Sequence, residues 1–274
     1  MQIYDCHIHS VFSFDGKDSV DDIVKEAIAK GAKAITITDH TLPQPDIYKP
    51  YEHIKLSAQK AKEAAQKYKD EILVLAGAER SDILPAHVRE PFYDFDLDCI
   101  LGSVHSEPTI REYFPDTPYK SLTTCSETAD IEFLIQVVKK YYFKLSDLVY
   151  NGDIDVITHM TYPFRYINGR ASRGLDVGLF YREIDEILDG IIKRDLTLEV
   201  NTSGKAEKWN EFMPNADILK RYFKMGGRNI LLGSDAHKKE NIAVGFLDAL
   251  SMLKEIGFTH GSYYVKRKRH EYIL

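Results

Sequence analysis

The chain has 274 residues, of which 44% are hydrophobic and 28% are charged, so it is long enough for one large domain with a buried core. Its formal net charge of −6 argues against a general nucleic-acid-binding protein, because phosphate backbones are bound by an excess of Lys and Arg. No apolar run approaches the ~20 residues that cross a bilayer, so we expect no membrane partner.

The cysteines and the first residues of the chain bear on its location. Cys6, Cys99 and Cys125 are an odd number without the pattern of a disulfide framework, which is typical of a reducing compartment. The amino-terminal residues lack the basic and apolar regions of a secretory signal. We therefore expect a cytoplasmic protein.

Strand-like and helical segments alternate along the whole sequence. The first apolar run, at residues 3–4, leads into Asp5-Cys6-His7-Ile8-His9-Ser10, and Ser19 is predicted to cap a helix that Gly31 ends. Further strands are predicted, in chain order, at residues 34–38, 72–78, 97–101, 154–158, 196–200, 230–232 and 263–265. Further helices are predicted at residues 51–69, 127–148, 178–193, 216–225 and 242–256.

Regular alternation of strands and helices predicts a parallel sheet covered by helices. With seven principal strands and no change of composition along the chain, we expect a single α/β domain over residues 1–274, closed into a distorted (β/α)7 TIM-like barrel. Such a barrel places its chemistry at the carboxyl ends of the strands. An open, doubly wound sheet is the alternative, but no Gly-rich phosphate loop follows the first strand.

Metal-binding residue types stand at or just after the ends of the predicted strands. In an extended strand, residues i and i+2 point to the same face, so His7 and His9 aim two imidazoles at one point. The other positions are His40, Glu79, His105, His159, Asp235 and His237, with Asp15 on the first loop. Imidazoles with carboxylates suit Zn, Mn or Fe, and nine ligands are too many for one tetrahedral ion. We expect two to three divalent transition-metal ions that share a bridging carboxylate.

Two long connections are predicted beside these positions. Residues 106–126 contain several prolines and aromatic residues and are predicted to cover the site as a lid or wall. Residues 161–174 are predicted to form a loop that carries Arg165, Arg170 and Arg173. These basic residues favour an anionic substrate over a neutral amide.

Seven short motifs contain the predicted ligands. They are His7-Ile8-His9-Ser10, Asp15-Gly16, Thr38-Asp39-His40, Gly77-Ala78-Glu79, Gly102-Ser103-Val104-His105, Thr158-His159 and Gly233-Ser234-Asp235-Ala236-His237. In this order they resemble the motifs of the PHP (polymerase and histidinol phosphatase) superfamily. Two further motifs, Asn201-Thr202-Ser203-Gly204 and Arg165-Tyr166, are similar to its stand-alone histidinol-phosphatase branch. The resemblance spans nearly the whole chain and implies a distorted (β/α)7 barrel that holds a trinuclear metal centre.

The resemblance implies how the ligands are shared among three ions. The first ion would be held by His7, His9, Glu79 and Asp235. The carboxylate of Glu79 would bridge to the second, which would also be held by His105 and His159. The third ion would be held by Asp15, His40 and His237.

The resemblance also bears on the substrate. Arg165 falls where the family places a phosphate-binding arginine, and Asn201 is a candidate substrate contact that could equally cap the next segment. Two positions depart from the family pattern. Thr161 replaces an acidic residue, and Lys205-Ala206 replaces an apolar residue followed by a second phosphate-binding arginine. Lys205 or Lys208 would then supply the missing charge, as a point charge and not as a planar fork.

The resemblance implies hydrolysis of a small phosphorylated substrate, L-histidinol phosphate, in histidine biosynthesis. A hydroxide that bridges two ions would attack phosphorus, and Arg165 would neutralise charge on the phosphoryl oxygens. The leaving alkoxide would take its proton from Asp39, Asp15 or a water molecule. Three alternatives stay open: a phosphoesterase for another small metabolite (a phosphoamino acid or a nucleotide), a metal-dependent C–N hydrolase, and a metal-binding regulatory module without turnover.

Overall fold

Seven parallel strands form a nearly closed barrel in the computed structural model of the chain, which describes residues 2–41, 51–82, 84–105, 110, 112–119 and 121–274. The strands are β1 (Ile3–Ile8), β2 (Ala32–Ile37), β3 (Leu73–Arg80), β4 (Cys99–Gly102), β5 (Val156–Ile157), β6 (Thr197–Asn201) and β7 (Ile230–Gly233). Each strand pairs with the next one in the chain, and Ile8 pairs with Ala236 just beyond β7, so the first and last strands meet. The predicted seven-stranded barrel is confirmed.

Helices cover the outside of the barrel. They are α1 (Val20–Ala29), α2 (Glu52–Lys67), α3 (Leu122–Thr128), α4 (Ile131–Asn151), α5 (Tyr162–Phe164), α6 (Tyr181–Lys193), α7 (Ala216–Lys224) and α8 (Phe246–Ile256). The predicted cap of α1 is confirmed, because the Ser19 hydroxyl accepts a hydrogen bond from the backbone N–H of Asp22 at 3.2 Å. Gly31 follows this helix with a φ of +75°, which a side chain would disfavour.

The core lies between the helices and the strands. In α4, for example, Leu134, Val138, Tyr141 and Leu145 are fully buried at the three- and four-residue spacing of one helix face. Burial of each such side chain contributes roughly 1.5–3 kcal/mol relative to leaving it in water. This packing fixes the strands, and therefore the positions of the side chains at their carboxyl ends.

A hairpin that the sequence predicted only in part covers the opposite end of the barrel. It consists of β8 (His260–Val265) and β9 (Lys268–Ile273), which pair antiparallel. The hydroxyl of Tyr264 lies 2.7 Å from the hydroxyl of Thr197 and donates to the carbonyl of Asp155 at 3.1 Å. Arg267 forms ion pairs with Asp155 and Asp153. The hairpin therefore contacts the amino-terminal ends of the strands and leaves the carboxyl ends open.

Two predicted segments differ in the structure. The helix predicted at residues 127–148 is confirmed over most of its length as α4, but its predicted start is wrong. The preceding helix α3 ends at Thr128, and the carboxylate of Asp130 caps α4 by accepting from the N–H of Phe133 at 2.7 Å. The loop predicted at residues 161–174 is wrong over residues 162–170, where α5 continues directly into a π-helical turn, Arg165–Arg170, while residues 171–174 belong to no helix or strand.

The predicted covering connection, residues 106–126, lies partly outside the described residues, which lack 106–109, 111 and 120. Within its described part, Glu112 lines the cavity above the barrel. Among the described residues, no helix combines the length and the apolar character that a membrane span requires.

Candidate active site

The site begins with the two histidines at the end of β1. His7 and His9 are both buried, and their Nε2 atoms lie 3.0 Å apart. The Nε2 atom of His9 is 3.4 Å from Oε2 of Glu79 and 3.2 Å from Oδ1 of Asp235, and the corresponding distances from His7 are 3.5 and 3.6 Å. Strands β1 and β3 and the loop after β7 thus aim four ligand atoms at one point.

Glu79 faces a second group with its other oxygen. Its Oε1 atom lies 3.0 Å from Nε2 of His159 and 3.8 Å from Nε2 of His105. One carboxylate therefore contacts two sets of imidazoles, which is the arrangement of a bridging ligand. The backbone of His159 has a φ of +24°, and such sparsely populated conformations concentrate at functional sites.

The third group lies at the open side of the cluster. Oδ2 of Asp15 is 3.1 Å from Nε2 of His237, and Oδ1 is 3.7 Å from Nε2 of His40. His40 also turns its Nδ1 atom toward Oε2 of Glu79 at 2.7 Å, so this group shares an edge with the other two. The structure thus brings all nine predicted ligands into one cluster.

The donor set fits metal ions. Three side-chain combinations place their ligand atoms within 4.8 Å of one another: His9, His40 and His237; His7, His9 and Glu79; and His40, Glu79 and His105. Oδ1 of Asp15 is buried, lies 3.7 Å from Nε2 of His40 and has no hydrogen-bond partner in the described part of the chain. A buried carboxylate oxygen without a partner is costly, and a cation bound in the cluster would satisfy it.

Burial and mutual charge divide the imidazoles into two kinds. Burial and the positive charges of His237 and His40 lower the pKa of His9 to about 3, and burial lowers that of His105 to about 4. Burial would also lower the pKa of His237, but its hydrogen bond to Asp15 and the charge of Asp235 raise it to about 9. Metal-free protein therefore holds protons inside the cluster that a bound cation has to displace.

The two carboxylates at the centre are ionised. Burial would raise the pKa of Glu79, but the positive charges of His40 and His7 hold it well below its usual range. The pKa of Asp235 is likewise well below its usual range, because His7 and His9 outweigh the effect of burial. Ionised carboxylates are the form that binds divalent cations.

A cavity of about 1170 Å³ opens above the cluster. Its lining includes His40, Glu79, His105 and Asp235, together with the guanidinium-bearing residue Arg165. Nε and Nη2 of Arg165 donate to Oε1 of Glu207 at 3.0 and 2.6 Å. Burial would lower the pKa of Arg165, but Glu207 and the charge of Asp235 raise it, so its positive charge is retained inside the cavity. The predicted anion-binding arginine therefore faces the predicted metal ligands.

The family model of the PHP domain matches residues 5–203, which is more than half of the chain. The chain belongs to the PHP domain family. It is 30% identical to a probable histidinol-phosphatase of Clostridium acetobutylicum, an alignment that covers 91% of this chain and 92% of that protein. It is 26% identical to a histidinol-phosphatase of Lactococcus lactis, with 94% and 93% covered.

The PHP chain also resembles solved structures. It superposes on the histidinol phosphate phosphatase of Lactococcus lactis, crystallised with zinc, L-histidinol and phosphate, with a TM-score of 0.74 and 22% identity over 97% of this chain and 98% of that one. This likeness confirms the fold. The PHP family model ends at residue 203, whereas Asp235 and His237 lie beyond it, after β7.

Glu199 is a buried residue of this PHP site that the sequence did not reveal. Its Oε1 atom lies 2.6 Å from Nδ1 of His7, and its Oε2 atom accepts from the backbone N–H of His159 at 2.8 Å. All three side chains are buried. A carboxylate behind a ligating imidazole fixes the tautomer and orientation of the ring, so Glu199 positions two predicted ligands. Its one sequence signal is an acid within an apolar strand, two residues before Asn201.

Asp39, predicted as a proton donor, is placed differently. Its carboxylate is buried, lies outside the described lining of the cavity and accepts hydrogen bonds from the hydroxyls of Ser10, Ser13 and Ser57. The hydroxyl of Ser13 in turn contacts Nδ1 of His9 at 3.0 Å. This placement argues against the predicted role as a proton donor, because Asp39 contacts His9 through Ser13 and is not among the described residues that line the cavity.

Two predicted substrate contacts also point elsewhere. The amide of Asn201 donates to Glu199 at 3.2 Å and to Asp235 at 3.3 Å, so it braces the cluster from behind. The ammonium of Lys205 donates to the carbonyl of Asn210 at 3.2 Å and lies 3.4 Å from Asp248. Neither Asn201 nor Lys205 is among the described residues that line the cavity, and the exposed Lys208 is not among them either.

Proposed function

We propose that this PHP-domain protein is a metal-dependent phosphate monoester hydrolase that converts L-histidinol phosphate and water into L-histidinol and phosphate. The observation that carries the proposal is the convergence of nine predicted metal ligands in one cluster, seven of which line the same cavity as Arg165. A cation cluster beside an arginine suits an anionic phosphoryl group. The substrate is inferred from the relatives named histidinol-phosphatase, which align with more than nine-tenths of the chain.

We assign the ligands to two to three Zn, Mn or Fe ions. The first group would be His7, His9, Glu79 and Asp235, the second Glu79, His105 and His159, and the third Asp15, His40 and His237. The support is that each group contains imidazole and carboxylate donors, and that Glu79 offers one oxygen to each of the first two. The contact between His40 and Glu79 links the third group to both.

The reaction depends on side chains that are in place before substrate enters. When bound, divalent ions lower the pKa of water from about 15.7 toward 7 and neutralise charge on a phosphoryl oxygen. Arg165 would bind another phosphoryl oxygen through Nη1, because Glu207 occupies its Nε and Nη2. Glu199 and Ser13 would hold His7 and His9 in the ligating orientation. The chain thus contributes fixed positions and charge.

We propose further that residues 1–274 form one PHP domain and that the protein is cytoplasmic. The residues after 203 supply β7, which pairs with β6, and the loop that carries Asp235 and His237. Without them the barrel and two of the ligand groups are incomplete. Cys6, Cys99 and Cys125 are buried and none of them forms a disulfide in the described part of the chain, which suits a reducing compartment.

Release of inorganic phosphate from a panel of substrates tests the proposal. The metal-loaded protein would be assayed with L-histidinol phosphate, phosphoserine, phosphotyrosine and a nucleoside monophosphate, with the Glu79→Gln variant as the inactive control. We expect kcat/KM to be at least about tenfold higher for L-histidinol phosphate than for the others. A higher kcat/KM for another phosphomonoester would identify that compound as the better substrate. Release of phosphate from none of the compounds would refute the proposed phosphoesterase activity.

A further inference from the structure

Two arginines converge on one carboxylate oxygen at the wall of the cavity. Oε1 of Glu207 accepts from Nε and Nη2 of Arg165 at 3.0 and 2.6 Å, and from Nη2 of Arg170 at 2.9 Å. All three side chains line the same cavity as the metal-ligating residues. We call Arg165, Arg170 and Glu207 the arginine cluster.

The arginine cluster is connected to the metal ligands. Nη1 of Arg165 donates to the hydroxyl of Ser203 at 3.4 Å, and this hydroxyl lies 3.4 Å from Oδ2 of Asp235. Asp235 in turn lies 3.2 Å from Nε2 of His9. An anion held by the guanidinium groups would therefore stand beside the first ligand group.

Arg170 is held in place although its side chain is 46% exposed. Its guanidinium lies over the ring of Tyr166, 4.5 Å from the centroid, and the Tyr166 hydroxyl is 2.8 Å from that of Tyr162. The turn that carries it is fixed by Gly169, where a Cβ atom would approach the Trp209 side chain to 2.7 Å. The position of Arg170 is thus built by the fold.

The charges of the cluster do not balance. A structural ion pair needs one arginine for one carboxylate, whereas here two guanidinium groups share the carboxylate of Glu207. Asp235, the other carboxylate whose charge acts on Arg165, is itself a predicted metal ligand, so with cations bound it does not neutralise the second guanidinium group. The remaining positive charge lies at a cavity that the metal ligands also line, which suits a group with more than one negative charge. A phosphate monoester dianion fits this description.

We propose that Arg165 and Arg170 act together as a two-arginine clamp on the phosphoryl group, and that Glu207 is a positioning residue that holds both guanidinium groups and competes with the bound anion. This inference rests on the proposed phosphatase function. Arg170 is thereby a second substrate contact. Glu207 limits the affinity for phosphate, which favours release of the product.

The clamp predicts opposite effects of two substitutions. Arg170→Gln removes a charged donor, so the KM for L-histidinol phosphate and the Kd of inorganic phosphate should each rise about tenfold or more. Glu207→Gln keeps an oxygen that accepts from both arginines but removes its negative charge, so the Kd of inorganic phosphate should fall severalfold. If the contacts of Glu207 with the two arginines were purely structural, both substitutions would weaken them. The Kd of inorganic phosphate would then rise in both variants.

The experiment is calorimetric titration of inorganic phosphate into the metal-loaded wild type, Arg170→Gln and Glu207→Gln, with thermal unfolding of each to verify folding. Arg182→Gln is the matched control, because Arg182 pairs with Glu186 at 3.3 Å on exposed surface outside the described lining of the cavity. It should leave the Kd unchanged. Equal Kd values for wild type and Arg170→Gln, or weaker binding in both variants, would overturn the clamp.

The same titration separates this inference from the proposed function. The phosphate Kd could rise in Arg170→Gln and fall in Glu207→Gln while the wild type hydrolyses a phosphomonoester other than L-histidinol phosphate. This result would support the clamp and refute L-histidinol phosphate as the substrate. Hydrolysis of L-histidinol phosphate with an unchanged KM in Arg170→Gln would support the function and overturn the clamp. A wild type that binds no inorganic phosphate would overturn the clamp as well.

Discussion

Replacement of Glu199 by Gln tests whether the ligands are held from behind by a carboxylate. In the wild type, Oε1 lies 2.6 Å from Nδ1 of His7, while Oε2 accepts from the backbone N–H of His159 at 2.8 Å and from the amide of Asn201 at 3.2 Å. A glutamine has one oxygen and one NH2 group. If the oxygen stays on His7, the NH2 group faces two other donors.

The magnitude follows from these contacts. One or two buried donors lose their acceptor, which costs about 1–3 kcal/mol of folding free energy. Loss of the charge behind a ligating imidazole typically lowers metal affinity about 10- to 100-fold, equivalent to about 1.4–2.8 kcal/mol. Both effects should appear together in Glu199→Gln, because the same side chain serves His7 and His159.

The assay is competition for the metal with a chelator of known affinity, alongside urea unfolding of the metal-free protein. Glu186→Gln, an exposed glutamate on α6, is the control and should change neither quantity by more than a few tenths of a kcal/mol. A Glu199→Gln protein that is destabilised but binds metal with wild-type affinity would refute the positioning role.

Three further predictions concern other parts of the structure. Gly233→Ala should lower metal affinity at least about tenfold and destabilise the fold by about 1–3 kcal/mol, because the added Cβ would lie 2.2 Å from Oε1 of Glu199 and 2.6 Å from Cβ of His7. Chelator competition measures the affinity and urea unfolding measures the stability. Wild-type values of both would contradict this prediction. Metal uptake by stripped protein at pH 7 should release protons, since the pKa of His237 is about 9, and calorimetry in buffers of different ionisation enthalpy counts them. Protonated His237 stabilises the metal-free fold fully below pH 6.5, and this stabilisation is lost as the pH rises through 9. Because the cation has to displace this proton, metal affinity should increase between pH 6.5 and 9. A metal affinity that does not change with pH would argue against this prediction. Arg267→Ala should reduce the free energy of unfolding by about 2 kcal/mol while leaving kcat unchanged, because Arg267 binds Asp155 and Asp153 at the closed end of the barrel; a loss of activity without a loss of stability would contradict this placement.

The barrel and the ligand positions could be predicted because both follow from local rules. Alternating strands and helices predict parallel pairing, and parallel strands bring their carboxyl ends to one rim. Residues such as His40, Glu79 and His159 therefore meet although they are far apart in the chain. The spacing of two between His7 and His9 was enough to predict that their rings converge.

The remaining features depend on neighbours that the sequence does not identify. Asn201 stands at a strand end like the ligands, but its amide turns toward Glu199 and Asp235, whose positions are known only from the fold. Lys205 lies four residues further on, but its ammonium group contacts Asp248 and the carbonyl of Asn210 instead of the cavity. Gly169, in the helical segment 162–170, lies against the side chain of Trp209, about forty residues further along the chain, and the sequence does not identify this contact.

The central claim is that distant histidines and acids hold cations around Glu79, and the metal content of the purified protein tests it most directly. Elemental analysis after removal of loosely bound metal should find two to three divalent transition-metal ions per chain in the wild type. Glu79→Gln should retain fewer ions and release no phosphate from L-histidinol phosphate, since one oxygen contacts each of two ligand groups. A wild type that contains no transition metal and takes up none on addition, or a fully active Glu79→Gln variant, would contradict the account.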